Sequence, residues 1–92
     1  MELKVFTLPS CSICPVAKTI AAEVAARLGV SYREVSLATA EGKSEGLTYD
    51  VLSVPSIVFD DEVIARGRLV SKQKLEQEVL ERIEKWKARS SS

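Results

Sequence analysis

Residues 3–37 change hydrophobic period twice, and this change limits the fold more than any other feature of the chain. Residues 3–8 form a β-prone run that Pro9 and Ser10 close, which predicts a buried strand. Residues 30–37 form a second such run. Between the runs, large apolar residues at every fourth position predict a helix that ends at Gly29: Val16, Ile20, Val24 and Leu28. Since a helix connects the two strands, we expect them to be parallel, in a βαβ unit.

The next segment, residues 39–49, predicts regular structure only weakly. Gly42 and Gly46 disfavour a firm helix there. Leu47 and Tyr49 could still anchor a short helix on the sheet. We therefore expect at most a short helix before the next strand.

The last third of the chain predicts a β-hairpin followed by a long helix. Residues 54–59 and 63–66 are β-prone and flank the acidic turn Asp60-Asp61-Glu62. Ser71 then opens a helix whose apolar residues have spacings of four, four and three: Leu75, Val79, Ile83 and Trp86. The predicted order of elements is β-α-β-α-β-β-α.

The size and charge of the chain exclude several classes of function. Its 92 residues suffice for one small domain, which we expect to cover residues 1–88, with residues 89–92 forming a disordered tail. Thirteen basic residues balance thirteen acidic ones, so no long-range field favours nucleic acid or an anionic membrane. No apolar run is long enough to span a bilayer. We expect a cytoplasmic protein, because no leader is recognised. We also expect a monomer that binds neither nucleic acid nor membrane.

The two cysteines form the motif Cys11-Ser12-Ile13-Cys14 between the first strand and the first helix. Unpaired backbone N–H groups and the positive end of the helix macrodipole favour a thiolate at such a position. Cys11 is therefore the predicted nucleophile, and the more shielded Cys14 is the predicted resolving thiol. Ser10 or Ser12 could cap the helix. Lys18, one turn beyond Cys14, could add positive potential or simply lie in solvent.

Other functions of the two cysteines stay open at this point. Two thiolates also suit a soft metal such as Cu(I), in a metal carrier. The sequence has no His, and a zinc site with four thiolates would need two chains. Small Cu(I) carriers usually end in a strand, which differs from the order predicted here. The cysteines could also be inert packing residues, or the domain could be an interaction module without chemistry.

The motifs together resemble the thioredoxin-like superfamily over roughly residues 2–86. They are the strand that leads into C-x-x-C, the βαβ unit, and Val54-Pro55-Ser56 at the start of the hairpin. Cys14-Pro15-Val16-Ala17-Lys18 is most similar to the small glutaredoxin-like or thioredoxin-like proteins of archaea and bacteria. The resemblance implies a thioredoxin-like α/β fold. In it, a four-stranded mixed sheet has its strands in the order 2-1-3-4 and helices on both faces.

The resemblance also implies a dithiol–disulfide oxidoreductase that reduces protein disulfides. Cys11 would attack a disulfide of a client protein, Cys14 would resolve the mixed disulfide, and an unidentified reductase would reset the pair. No cofactor and no metal would be needed, because the cysteines themselves store the electrons.

The same resemblance implies the residues that contact substrate. Pro55 would follow a cis peptide bond and pack against the dithiol, and Val54 would offer its backbone to an incoming peptide strand. A trans proline at the start of an edge strand is the alternative. Ser12 and Ile13 are the other expected substrate contacts, since they lie within the motif.

The chain departs from thioredoxins at the dithiol. They usually have Trp before the motif, where this chain has Ser10, and Gly-Pro within it, where it has Ser12-Ile13. They also carry a buried acid six residues before the leading cysteine, where this chain has Val5. A side-chain base for the resolving step is then missing, so water or the departing thiolate would take the proton.

The chain departs from glutaredoxins as well. They usually have a basic residue shortly before the dithiol and a Gly-Gly pair with an Asp before the last helix. Here only Gly67 is found, between Arg66 and Arg68. Glutathione is therefore a possible partner with little support, although either arginine could meet a carboxylate.

Overall fold

The elements of the protein follow one another in the predicted order. A computed structural model describes the backbone of residues 1–90 and the side chains of residues 1–88. The elements are β1 (Glu2–Thr7), α1 (Cys14–Leu28), β2 (Ser31–Ser36), α2 (Ala40–Thr48), β3 (Ser56–Phe59), β4 (Glu62–Ala65) and α3 (Lys72–Ser90). The strands form one sheet in the order β2-β1-β3-β4, in which β1 is parallel to β2 and antiparallel to β3. The predicted α/β fold and mixed sheet are confirmed.

Hydrophobic clusters cover both faces of the sheet. Successive side chains of a strand point to opposite faces, so Leu3 and Val5 pack with α1 and α3, whereas Phe6 packs on the other face. The other buried residues of the second cluster are Val35, Leu37, Val51 and Val58. The central strand β1 is therefore buried from both sides, and its carboxyl end at Thr7 is held firmly.

Helix α1 forms as predicted, but a different set of its residues faces the core. The buried residues are mainly small: Cys14, Ala17, Ala21, Val24 and Ala25. Residues four apart drift by about 40° on a helix of 3.6 residues per turn. Val16, two such steps from Val24, is therefore turned out to solvent. The alanines let the helix lie close to the sheet, and Gly29 ends it in the left-handed conformation, as predicted.

A regular helix, α2, forms where the glycines argued against one. The Thr39 hydroxyl caps it by accepting from the Gly42 N–H at 2.9 Å. A Cβ on Gly42 would collide with the backbone carbonyl of Ser36, and one on Gly46 would lie 2.8 Å from a methyl group of Leu37. The glycines therefore allow a close approach between the helix and the chain that leaves β2.

Of the two predicted anchors of α2, Tyr49 contacts the sheet and Leu47 does not. Leu47 is 66% exposed, so it does not anchor the helix. The Tyr49 ring packs edge-on against Phe6, with 6.4 Å between ring centroids, and the Tyr49 hydroxyl accepts a hydrogen bond from Lys4 Nζ at 3.0 Å.

Helix α3 begins after Ser71, whose hydroxyl accepts from the Lys74 N–H at 3.2 Å. Of its predicted stripe, Leu75 and Val79 are fully buried and Ile83 is partly buried, but Trp86 is 56% exposed. A helix of this length spans about 28 Å, whereas four-residue strands such as β3 and β4 span about 13 Å, so its last turns pass the edge of the sheet. The helix includes residues 89 and 90 of the expected tail, and residues 91 and 92 lie outside the described residues.

Candidate active site

The loop that leaves β1 carries the dithiol into the first turn of α1. Cys11 and Cys14 form a disulfide, with their Cα atoms 5.4 Å apart. The Cys11 N–H donates to the Leu8 carbonyl at 3.1 Å, which closes a turn directly after the strand. Cys14 is only 3% exposed, whereas Cys11 is half-buried. The predicted roles, nucleophile for Cys11 and resolving thiol for Cys14, would use this difference in exposure and stay predictions.

The amino terminus of α1 has no side-chain cap. The cap residue is Ile13, so neither Ser10 nor Ser12 caps the helix as expected. Ile13 has φ −98° and ψ −7°, and this helical backbone differs from the extended one that aims a serine hydroxyl at the first turn. The first turn has no acidic residue. The positive end of the helix is therefore left to stabilise a thiolate.

The cis proline lies at the same end of the sheet as the dithiol. The Val54–Pro55 peptide bond is cis, as the resemblance implied. β1 and β3 pair with Phe6 opposite Ser56, and extending this register by two residues places Val54 beside Leu8. Both of these residues pack against the same cluster as Phe6. Pro55 is buried, and its carbonyl accepts from the Arg68 N–H at 3.0 Å.

The other predicted contact residues differ in accessibility. Ser12 and Ile13 are exposed in the dithiol loop, and Val54 is half-buried. No backbone hydrogen bond of Val54 is found within residues 1–90. Its N–H and carbonyl therefore have no backbone partner in this part of the chain.

A small polar pocket adjoins the two sulfurs. Its volume is about 170 Å³, and both cysteines line it together with Thr7, Lys18 and Glu34. The Thr7 hydroxyl donates to Glu34 Oε2 at 2.8 Å, and Lys18 Nζ lies 3.5 Å from Glu34 Oε1. Lys18 could add positive potential at the dithiol or simply lie in solvent. The structure shows it in a partly buried ion pair with Glu34. Sequence reasoning missed Glu34, because only the pairing of β2 with β1 brings it to the dithiol.

An apolar groove of about 430 Å³ begins on the opposite side of Leu8. Leu47 and Leu52 stand exposed along it, and Lys43 lies at its side. Leu47 is the one large apolar residue of α2, and its exposure agrees with the weak amphipathic pattern of that helix. The groove makes the surface next to the dithiol loop apolar.

The arginines that could meet a carboxylate have different surroundings. Arg66 donates to the backbone carbonyls of Tyr49 and Asp50, each at 3.2 Å, and thereby holds the segment after α2. Arg68 is exposed. Arg66 is thus committed to a structural contact.

The described residues lack two kinds of feature, a cluster of metal-ligating side chains and a membrane-spanning helix. Within residues 1–90, no cluster of three or more His, Cys, Asp or Glu side chains has the arrangement of a metal site. None of the helices in this part of the chain has the length and hydropathy needed to cross a membrane.

Comparisons with known proteins agree with this geometry. A family model described as a thioredoxin domain matches residues 1–80. A probable thioredoxin of Archaeoglobus fulgidus is 34% identical over 65 residues, which cover 71% of each chain. A thioredoxin of Methanocaldococcus jannaschii is 29% identical over 63 residues, which cover 68% of this chain and 74% of that protein.

Solved structures show the same fold. The crystal structure of the thioredoxin-like protein BC3987 has a TM-score of 0.54 at 30% identity, with 82% of this chain and 96% of that one covered. Thioredoxin 1 of Thermosipho africanus has a TM-score of 0.66 at 21% identity, with both chains fully covered.

Proposed function

The chain belongs to the thioredoxin domain family and is a thiol–disulfide oxidoreductase, and on this basis we propose that it reduces disulfide bonds in client proteins. The observation that carries the proposal is the unequal exposure of two sulfurs at an uncapped helix terminus. The accessible sulfur can attack a client. The shielded sulfur can react only with its neighbour.

The proposed cycle transfers two electrons to the client. The Cys11 thiolate attacks one sulfur of the client disulfide, that bond breaks, and the released client sulfur takes a proton. Cys14 then loses its proton and attacks Cys11 Sγ, which breaks the mixed disulfide and releases the second client sulfur as a thiol. The Cys11–Cys14 disulfide that results is reduced again by a separate reductase. The cysteines hold the electrons, so the proposal includes no cofactor and no metal.

The client is proposed to bind as an added strand beside the dithiol. The unpaired backbone of Val54 supports this mode, because an extended peptide pairs with free N–H and carbonyl groups. Pro55 follows Val54 at the same end of the sheet as the dithiol, and the exposed Ser12 and Ile13 lie between the two cysteines in the chain. These residues would contact the client segment on either side of its disulfide.

The proposed partners are client proteins and one reductase. The working unit is the monomer, because both sulfurs belong to one chain. We place the reaction in the cytoplasm, since both cysteines of these 92 residues belong to the redox pair and none forms a structural disulfide. Glutathione stays a possible reductant with little support.

The test is reduction of a disulfide-containing protein by the chain, which is reduced beforehand and freed of excess dithiothreitol, because a free dithiol would itself cleave the mixed disulfide. Cys11→Ser should abolish turnover. Cys14→Ser should accumulate a mixed disulfide between Cys11 and the client, seen as an added client mass after acid quenching. The matched control is Ser44→Ala, because Ser44 is an exposed serine of α2. This variant should react like the native protein. Normal turnover of client by Cys14→Ser would contradict the resolving role.

A redox titration separates this proposal from metal carriage. In a glutathione buffer, the pair should close with a midpoint between about −270 and −200 mV, the range of thioredoxins and glutaredoxins. A pair that does not close but binds Cu(I) tightly would contradict the proposal and favour the metal carrier.

A further inference from the structure

The residues next to Cys14 in the sequence include no side chain that could accept the proton of this resolving thiol. Cys14 is almost fully buried, and burial in apolar surroundings disfavours the thiolate that must attack Cys11. Val5, at the strand position where thioredoxins carry an acid, is apolar and completely buried. A side-chain proton acceptor for Cys14 would therefore have to come from another element.

The pairing of β2 with β1 supplies a carboxylate next to that position. The two strands are parallel, and the register places Glu34 directly beside Val5. Neighbouring strands lie about 4.8 Å apart, and paired residues of a sheet point to the same face. The side chain of Glu34 is therefore one strand away from the position of the missing acid, on the face that carries α1.

Contacts hold this carboxylate in the pocket beside the dithiol. Thr7 donates a hydrogen bond to one oxygen at 2.8 Å, and Lys18 Nζ lies 3.5 Å from the other. These residues and both cysteines line the same pocket of about 170 Å³, a volume that admits bridging water. Since 42% of the Glu34 side chain is exposed, the carboxylate can also exchange protons with bulk water.

We propose that Glu34 is the proton acceptor for Cys14 in the resolving step. A pocket water passes the Cys14 proton to the Glu34 carboxylate, and Cys14 Sγ attacks Cys11 Sγ. The bond between Cys11 and the departing sulfur breaks, and the leaving thiolate takes a proton from Glu34 or from water. Charge and electrons balance, because two thiol groups of the protein become one disulfide while the substrate disulfide gains two electrons and two protons.

The groups that face Glu34 set the pH dependence of this step. Lys18 from α1 carries a positive charge, Thr7 from β1 is neutral, and Tyr32 lies on the same face of β2. Burial and then the charge of Glu34 raise the pKa of Tyr32, so this tyrosine stays neutral over the range tested. The remaining ionisable groups in the pocket are the two cysteines.

The test uses 5,5′-dithiobis(2-nitrobenzoate) and the reduced protein, because each chemical step then releases one coloured thiolate. The first release reports attack by Cys11, and the second reports resolution by Cys14. In Glu34→Gln, the first rate should stay within about twofold, and the second should fall by about 10- to 100-fold near neutral pH. The second rate should recover only at a pH well above about 8.5, the ordinary pKa of an exposed thiol, because burial disfavours the Cys14 thiolate.

Matched variants distinguish proton transfer from a structural role. Glu34→Asp keeps a carboxylate and should retain most of the second rate. Glu41→Gln removes an exposed carboxylate from α2 and should change neither rate. An unchanged second rate in Glu34→Gln would overturn the proposal, and so would equal slowing of both rates, which marks a general disturbance of the dithiol loop.

The inference deepens the proposed function, but its failure can be told apart from a failure of that function. The reagent is a small disulfide, so both releases can be measured even if the protein reduces no client protein. If the native protein releases both coloured thiolates at normal rates but reduces no client protein, only the choice of client is overturned. If Glu34→Gln leaves the rate of the second release unchanged, only the role of Glu34 is overturned.

Discussion

Cys11 and Cys14 are only three positions apart, yet the structure gives them opposite surroundings. A turn from Leu8 holds Cys11 at the surface, and the first turn of α1 holds Cys14 against the sheet. The spacing and the position before a helix could be recognised in the sequence. The exposure of each sulfur, and the carboxylate of Glu34 beside them, depend on how α1 and β2 pack on β1.

A charge at the cap of α1 should change the reactivity of Cys11. In Ile13→Asp, a carboxylate would compensate the positive helix end and lower the thiolate fraction of Cys11. We expect alkylation of reduced Cys11 by iodoacetamide near neutral pH to slow by about twofold to fivefold, which corresponds to 0.3–1 kcal/mol. The same change should raise the melting temperature slightly, because a negative charge at the positive end of a helix is stabilising.

Ile13→Asn is the control for this prediction. Asparagine has nearly the size and shape of aspartate but carries no charge. It should therefore slow alkylation less than aspartate does. Equal alkylation rates in the two variants would show that charge at this cap does not control the thiolate.

At the scale of the elements, α2 shows why sequence patterns fail locally. Two glycines in nine residues disfavour a helix by intrinsic propensity, but both are buried against the chain after β2. Contact with Ser36, Leu37 and Val51 outweighs the propensity, because a side chain at either glycine would occupy the space of its neighbours. The glycines are therefore signs of close packing and not of a break.

Gly42→Ala should reverse the usual effect of this substitution in a helix. Alanine normally stabilises a helix by about 1 kcal/mol relative to glycine. Here the new Cβ would collide with the Ser36 carbonyl, and the free energy of unfolding should fall by about 2 kcal/mol, as for an overpacked core. Urea denaturation measures the change.

Ser44→Ala, on the exposed face of the same helix, is the comparison. It should alter the free energy of unfolding by less than about 0.5 kcal/mol, as is usual for surface substitutions. A stabilising Gly42→Ala would mean that α2 does not pack as closely on β2 as the structure shows.

At the scale of the whole molecule, a charged cluster joins α2 to the sheet. Glu45 of α2 pairs with Arg33 of β2 and lies 3.1 Å from Nζ of the buried Lys4 of β1. The hydrogen bond from Arg33, with help from Lys4, lowers the pKa of Glu45 below its ordinary value of 4.5. Burial lowers the pKa of Lys4, but hydrogen bonds with Tyr49 and Glu45 outweigh burial and raise it.

The cluster should make stability depend on pH in a defined direction. A lowered pKa in the folded state stabilises the protein above pH 4.5, and this contribution is lost as the pH falls through the folded-state pKa. Glu45→Gln should therefore lower the free energy of unfolding by about 1 kcal/mol at neutral pH, and the difference should shrink as the pH is lowered from 4.5 towards 3. Urea denaturation at several pH values measures this.

Glu41→Gln, on an exposed residue of the same helix, controls for the loss of a negative charge. Its effect on the free energy of unfolding should be small at both pH values. A destabilisation by Glu45→Gln that stays constant down to pH 3 would show that packing, and not charge, makes this contact.

The sequence by itself determined the order of the elements, the placement of the dithiol at the start of α1 and the end of that helix at Gly29. Each follows from local causes: hydrophobic period, backbone freedom and the chemistry of a helix terminus. Only the tertiary structure decided that Val16 and Trp86 face solvent, that Gly42 lies against β2 and that Glu34 lies beside Val5. Those features depend on helix rotation and strand register, which are set by contacts between residues far apart in the chain.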